Sequence, residues 1–156
     1  MDGLIIKKKW LDLIISGKKT IEIRGSNTKN QNETIYLLES GTHRVVATAV
    51  ISSTHPVSCS DWPEERDRHC VNASYAELKK RYKTPYAWVL SKIKPIEDIW
   101  YYEHPQGAVI WVKDVQPIDE MCDERIRYGY PKTQTHTLVR NVARNSQCMV
   151  IKSDEK

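Results

Sequence analysis

Short apolar runs rich in β-branched residues, separated by turn-forming residues, limit the fold of this sequence more than any other feature. Five runs have the length and composition of strands: residues 4–6, 34–38, 45–51, 87–93 and 108–112. Residues 20–24 add a sixth, in which apolar and polar side chains alternate with the period of two of a strand. Helical periodicity is confined to two short segments. The sequence therefore predicts an α+β, mainly β fold, a small β-barrel rather than layered βαβ units.

The two helical segments have recognisable ends. Residues 10–16 form an amphipathic stretch, and Gly17 follows where a left-handed residue commonly ends a helix. Ser74 and Glu77 have the spacing of a capping box, in which each side chain bonds the backbone amide of the other residue. Three segments without apolar periodicity are interpreted as loops: residues 25–32, 52–67 and 100–107.

Composition is typical of a folded, water-soluble protein. With 156 residues, 40% of them hydrophobic, the chain is long enough for one well-cored domain. No apolar run approaches the roughly 18 residues of a membrane span, and the start of the chain lacks the apolar core of a signal peptide. The four cysteines are scattered, as free thiols in a reducing compartment are. We expect an intracellular protein, cytoplasmic or nuclear, without membrane contact.

Positive charge is concentrated at the two ends of the chain. The formal net charge is only +4, but residues 1–30 carry seven basic and three acidic side chains, and residues 124–152 carry six and one. Residues 31–123 reverse the sign, with ten basic and fourteen acidic side chains. If the ends meet in the fold, they form a basic surface for a phosphate-bearing partner. A solvated surface without a partner explains the same charges, so this pattern leaves both interpretations open.

Lys19, Glu22 and Arg24 form the most specific local pattern. A lysine at a turn precedes a carboxylate and a guanidinium that share one face of a strand. Arginine can bind a phosphate through two parallel hydrogen bonds or stack on a base, and lysine adds a point charge. A carboxylate can accept from the exocyclic amino group of a base. A structural ion pair on the strand explains the same residues without a ligand.

With Gly17, these three residues match the signature GxKxxExR, and the chain resembles the ASCH domain family. The order of strands and helices is also similar to that of the family. The resemblance implies a fold like that of the PUA domain, a small β-barrel with two or three short helices and a cleft near the motif. It also implies an association with RNA and nucleotides. An ASCH domain is expected at residues 1–113, with residues 114–156 as a C-terminal extension packed on or beside the barrel.

The resemblance predicts that single-stranded RNA or a modified nucleotide binds in a basic cleft. Lys19 and Arg24 would hold phosphate or base, and Glu22 would read a base edge. Trp88 and Trp111 lie within predicted strands and are expected in the core. The other nucleic-acid-binding candidates are cations or loop rings that can flank the cleft: Lys7, Lys9, Trp100, Tyr101 and His104.

Enzymatic activity is the main alternative. Some small bacterial ASCH proteins hydrolyse N4-acetylcytidine with a lysine, a threonine nucleophile and a glutamate. The lysine corresponds to Lys19, but Glu22 stands in the position of the threonine. Thr20 shares the strand face, but two residues along a strand move a hydroxyl by about 7 Å, too far for it to act instead. Lys19 and Glu22 are the catalytic candidates if the chain is an enzyme.

Two further interpretations remain. A ribonuclease would use a basic cleft with His104 in acid–base catalysis, and a protein-interaction module would need none of these groups. No metal or cofactor is predicted, because Cys59, His69 and Cys70 lack metal-binding spacing and the chain has no glycine-rich phosphate loop.

Overall fold

A six-stranded sheet organises residues 1–118, the part of the chain that this computed structural model describes. The strands are β1 Gly3–Ile6, β2 Ile21–Arg24, β3 Thr34–Glu39, β4 Arg44–Pro56, β5 Tyr86–Tyr101 and β6 Trp111–Val112. The described helices are α1 Lys8–Ile15, α2 Asp61–Glu64, α3 Arg66–His69 and α4 Tyr75–Arg81. The predicted α+β, mainly β class is confirmed.

The strand order is β2-β5-β4-β3-β1-β6. β1 and β3 are parallel, and the other neighbours are antiparallel. This order leaves β2 and β6 as the two edges, without pairing to each other in the described part of the chain. The predicted closure into a barrel is therefore not confirmed.

Both predicted helix signals are present. Gly17 follows α1 with φ +78°, and its amide donates to the carbonyl of Ile14 at 3.0 Å. At α4, the Ser74 hydroxyl accepts from the amide of Glu77 at 3.3 Å, and the Glu77 carboxylate accepts from the amide of Ser74 at 2.7 Å. The capping box predicted from the sequence is confirmed.

β4 and β5 are longer than the sequence predicts. β4 continues to Pro56, and α2 and α3 follow it, so the prediction of one loop over residues 52–67 is wrong. β5 runs to Tyr101, into the predicted loop at residues 100–107. Their pairing shifts register three times, and Lys92 has φ +49°, as expected of bulges that bend and twist a strand. Pairing between β4 and β5 satisfies the backbone amides and carbonyls of these polar segments. The segments therefore form strands without alternating apolar and polar side chains.

β2 is buried on both faces. Apolar side chains lie on one face and polar side chains on the other. Ile21 and Ile23 pack in a cluster with Trp62 of α2 and Leu78 of α4. Glu22 points to the other face and is also buried. A larger cluster lies between α1 and the sheet. The described helices include none long and apolar enough to cross a membrane.

Side-chain contacts connect the strands at one edge of the sheet with those at the other edge. The Arg24 guanidinium on β2 donates to the Ile5 carbonyl on β1 at 2.8 Å. Trp88 of β5 stacks on Trp111 of β6, with ring centres 5.7 Å apart and ring planes 24° apart. We call this line of contacts, formed by these four residues, the seam. It brings β5 and β6 together without strand pairing between them.

Candidate functional site

Lys19 is buried at the start of the motif, with 1% of its surface exposed. Its backbone is held by α1, because the Lys19 amide donates to the Leu13 carbonyl at 2.9 Å. Its Nζ donates to the carbonyls of Ile21 and His69, both at 2.7 Å, and lies 3.4 Å from Glu22 Oε2. These three acceptors match the three protons of an ammonium group.

Glu22 joins the two cations of the motif. Its Oε2 faces Lys19, and its Oε1 lies 3.2 Å from Arg24 Nε. The Arg24 Nε–H is close enough for an ion pair but is not aimed well enough for a hydrogen bond. Arg24 also lies 5.9 Å from the centre of the Trp88 ring. The motif is thus a buried Lys–Glu–Arg triad that reaches the seam.

Burial and charge act oppositely on Lys19. The pKa of Lys19 is lowered from its usual value, because burial lowers it by more than the carboxylate of Glu22 raises it. The two carbonyl oxygens at 2.7 Å also stabilise the charged form. A general base needs a free lone pair, whereas this amine is directed into protein acceptors on every side. The geometry favours a structural ammonium ion.

A pocket of about 270 Å³ lies at the seam beside the polar loop that follows β2. We call it the seam pocket. Its aromatic wall is the Trp88–Trp111 pair, in which Trp88 is buried and Trp111 is partly exposed. Its other lining residues are Ser26, Asn27, Thr28, Lys29, Asn30, Ile110 and Lys113. The volume is just below the range of about 300–1,000 Å³ typical of small-molecule sites.

Hydrogen bonds orient two amides of the seam pocket. The Asn27 Oδ1 accepts from the Thr28 amide at 2.8 Å and from the Thr54 hydroxyl at 2.6 Å. The Asn30 Nδ2 donates to Asp2 Oδ2 at 2.9 Å. The atom left for a further hydrogen bond is therefore the donor Nδ2 on Asn27 and the acceptor Oδ1 on Asn30. The network assigns both amides, because a backbone N–H only donates and an ionised carboxylate only accepts.

Asp2 holds one side of the seam pocket. Its carboxylate bonds both Asn30 and the Lys113 ammonium. Burial opposes ionisation, but the bonds from Lys113, the Asp114 amide and Asn30 lower the pKa of Asp2. Asp2 is therefore a carboxylate at neutral pH and anchors the first strand to the loop and to the end of β6. Sequence reasoning gave no role to this residue.

The remaining predicted residues lie elsewhere. Lys7 and Lys9 are exposed at the start of α1, and Lys9 lies 4.5 Å from the centre of the Trp10 ring. Trp100 and Tyr101 lie at the end of β5, whereas β2 pairs with its first four residues. Trp100 packs edge-on against Tyr36 at 5.2 Å. The structure thus separates these rings from the triad along the length of β5.

His104 belongs to a polar cluster near Trp100. Its Nδ1 lies 2.9 Å from the hydroxyl of the buried Tyr102, and its Nε2 lies 3.1 Å from the Ala108 carbonyl. Burial raises the pKa of Tyr102 to about 12, so its hydroxyl stays protonated and can donate to His104. His43 lies beside both rings. These bonds hold His104 in place, away from the triad in the sheet.

The Trp88–Trp111 pair is the part of the site that sequence reasoning missed. Both were expected in the core, and Trp88 is buried. Trp111 instead presents part of its ring to the seam pocket. A signal was present in the sequence: the polar loop at residues 25–32 directly follows the motif, so its position beside any motif cleft was foreseeable. The basic residues of the C-terminal extension lie outside the described residues.

Comparison with known proteins gives a matching family and solved structures of similar fold. The model of the ASCH domain matches residues 4–124. The crystal structure of a serine-to-alanine mutant of ZmASCH from Zymomonas mobilis is similar at 15% identity and a TM-score of 0.53, covering 91% of this chain and 93% of that one. A tyrosine-to-phenylalanine mutant of ZmASCH has 17% identity, a TM-score of 0.53 and 86% coverage of each chain. The ASCH structure from the same organism has 16% identity and a TM-score of 0.51, covering 86% of this chain and 83% of that one. No curated protein matches the chain.

Proposed function

The chain belongs to the ASCH domain family, and from that premise we propose that it binds single-stranded RNA or a modified nucleotide, with one base in the seam pocket. The observation that carries this proposal is the Trp88–Trp111 stack beside a polar loop. Stacking of a base on an aromatic ring contributes about 1–3 kcal/mol and accepts every base, because each base has a π-face.

The other groups of the seam pocket support a nucleotide over an apolar ligand. Asn27 offers a donor and Asn30 an acceptor, the combination that the polar edge of a base needs. Lys29 lines the same pocket and can attract phosphate, whereas the Lys113 ammonium is paired with Asp2. A purely apolar ring would cover Asn27 Nδ2 and Asn30 Oδ1 without giving either atom a partner, which disfavours it.

In this proposal the motif residues support the seam pocket from the interior of the protein. Lys19 is buried and saturated by Glu22 and two backbone carbonyls, and Glu22 is buried between Lys19 and Arg24. Arg24 ties β2 to β1 and lies close to Trp88. These three side chains therefore position the seam, and Trp111 with the loop contacts the ligand.

The test is a fluorescence anisotropy titration with labelled short single-stranded RNAs, with and without N4-acetylcytidine. Trp111→Ala should weaken binding by about 5- to 150-fold, the equivalent of 1–3 kcal/mol of lost stacking. Trp100→Ala is the matched control, because it removes a partly exposed indole at the other end of β5. It should leave the affinity unchanged.

Three outcomes contradict the proposal. Equal losses in the two variants would move the site away from the seam pocket. Absence of binding by the wild-type protein would favour a protein-interaction module. Chemical change in the recovered RNA would favour the hydrolase or the ribonuclease, which the enclosed Lys19 supports less well.

A further inference from the structure

We propose that the exposed cations at the end of α4 bind the sugar–phosphate backbone of a strand whose base occupies the seam pocket. This α4-end patch consists of Lys79, Lys80, Arg81 and Lys83. The inference rests on the proposed function and extends it, because it makes the preferred ligand an oligonucleotide rather than a free nucleotide.

The charge on α4 is segregated along the helix. All four cations of the patch are exposed. The single acidic residue of the helix, Glu77, lies in its first turn and is bonded to the amide and hydroxyl of Ser74. It is therefore occupied at the opposite end of the helix. The end of α4 presents positive charge without a neutralising side chain from the same helix.

One close contact joins Tyr82, which lies within the sequence of the patch, to the residue that precedes the pocket loop. A Cβ on Gly25 would lie 2.8 Å from Cδ1 of Tyr82, so the Tyr82 ring packs directly on the Gly25 backbone. The Arg81 guanidinium lies 5.4 Å from the centre of the same ring. Gly25 immediately precedes Ser26, the first residue of the loop that lines the pocket. A strand leaving the pocket over this loop meets Tyr82 and Arg81 next.

A structural explanation of these cations also exists. Positive side chains near the C-terminus of a helix interact favourably with its dipole, typically by about 0.3–1 kcal/mol at exposed positions. Lys79 additionally donates to the carbonyl of Lys83. These interactions stabilise the helix end whether or not a ligand binds. They predict no dependence of affinity on ligand length, which separates the two explanations.

The experiment compares a mononucleotide with a ten-nucleotide single strand, using the full chain over a range of salt concentrations. The test variant is Lys80→Gln with Lys83→Gln, which leaves Arg81 on Tyr82 and the Lys79 bond in place. The control is Lys92→Gln with Lys94→Gln, two exposed lysines of β5. Urea unfolding of both variants checks that they fold as the wild type does.

We expect the test variant to bind the mononucleotide as the wild type does. Its affinity for the ten-nucleotide strand should fall about fivefold or more at low salt, and the slope of log affinity against log salt should become shallower by about 1.4, or 0.7 for each lost phosphate contact. The control should change neither quantity.

An unchanged salt slope in the test variant would overturn this inference and leave the proposed function standing. Equal weakening of the mononucleotide would also overturn it, because the patch would then act on the pocket instead of on the backbone. If the wild type binds neither ligand, the proposed function fails and the inference fails with it.

Discussion

Lys19 is surrounded by protein on every side in the described structure. Carbonyls of Ile21 and His69, the Glu22 carboxylate and the face of Trp10 enclose its ammonium group. A buried cation of this kind needs acceptors for all of its protons, and the strand and the end of α3 supply them. The spacing of the motif is thus explained by folding, since each residue of the triad depends on the others.

Removal of the Lys19 charge should destabilise the fold strongly. Lys19→Met leaves Glu22 buried with one cation fewer, and loss of one partner from a buried ion pair costs about 3–5 kcal/mol. Urea unfolding measures the change. The double variant Lys19→Met/Glu22→Gln should recover part of the loss, because it no longer buries a carboxylate.

Lys18→Met is the matched control, because Lys18 is the exposed neighbour. It should change the free energy of unfolding by less than about 0.5 kcal/mol. A similar loss in Lys18→Met and Lys19→Met would contradict the structural role of Lys19.

His69 is a neutral structural histidine. Its ring stacks on Trp62 at 3.9 Å, its Nδ1 accepts from the Val71 amide at 3.0 Å, and its Nε2 lies 2.9 Å from the Trp62 carbonyl. These bonds select the tautomer with the proton on Nε2. Burial lowers the pKa of His69 below 6.5, and the bond to the Trp62 carbonyl opposes this effect.

This lowered pKa predicts a loss of stability in mild acid. Between the folded pKa and the unfolded value of 6.5, the unfolded state binds more protons, so the free energy of unfolding falls as pH drops through that window. Unfolding midpoints measured from pH 8 to pH 5 should show the decline. His69→Gln should be less stable at pH 8 but decline less steeply with pH.

His55→Gln is the control for this titration, because His55 is only half-buried and lies beside Glu65. It should retain the steep decline, to which His43, whose pKa is lowered by burial and by His104, also contributes. Parallel pH profiles for the wild type and His69→Gln would show that His69 does not titrate in this way.

At the scale of elements, Gly17 connects α1 to β2. It adopts φ +78°, with no atom near the position of a Cβ. The glycine of the motif is therefore explained by backbone conformation alone and not by a close neighbour. The turn brings the Lys19 amide back to the end of α1, which places the lysine under the helix.

Gly17→Ala should cost about 1 kcal/mol of stability, because an L-residue is strained in the left-handed region. Gly17→Asn should cost less, since asparagine tolerates that region better. Thermal unfolding monitored by circular dichroism gives both values. If alanine and asparagine are equally tolerated, backbone strain is not the reason for the glycine.

Element types were more predictable than element lengths. The capping box and the Gly17 helix end depend on neighbours in the sequence, and the structure has both. The extension of β4 to Pro56 depends on pairing with the start of β5, which lies far along the chain. Local patterns carry no information on such pairing, so the long strands and their bulges were not predicted.

At the scale of the molecule, the seam joins the two edges of an open sheet through side chains. β3 and β4 each have a partner on both sides, whereas β6 has two residues and lies at an edge. Backbone hydrogen bonds at such an edge open more readily than those in the centre of a sheet. The seam pocket is thus lined in part by a two-residue edge strand and by a polar loop.

Amide hydrogen exchange should reflect this arrangement. Amides of β3 and β4 should exchange slowest, and those of β6 and of residues 26–30 fastest. A bound RNA should slow exchange in the second group without affecting the first. Uniform protection across β4 and β6 would contradict an open edge at the seam and favour a closed sheet.

The sequence by itself determined the family, the mainly β class and the residues of the motif. These follow from local periodicity, from turn and cap chemistry, and from a spacing of four residue types that is read without coordinates. Local interactions of this kind involve residues a few positions apart, which a sequence displays directly.

Only the tertiary structure decided which side chains are enclosed and which line the seam pocket. It enclosed Lys19 and Glu22, placed Trp100 and His104 at the other end of β5, and turned Trp111 to a pocket with the loop after β2. The physical reason is that exposure depends on what packs over a residue from distant parts of the chain. A charged residue that finds buried partners supports the fold, and an aromatic ring left partly uncovered at a seam is available for binding.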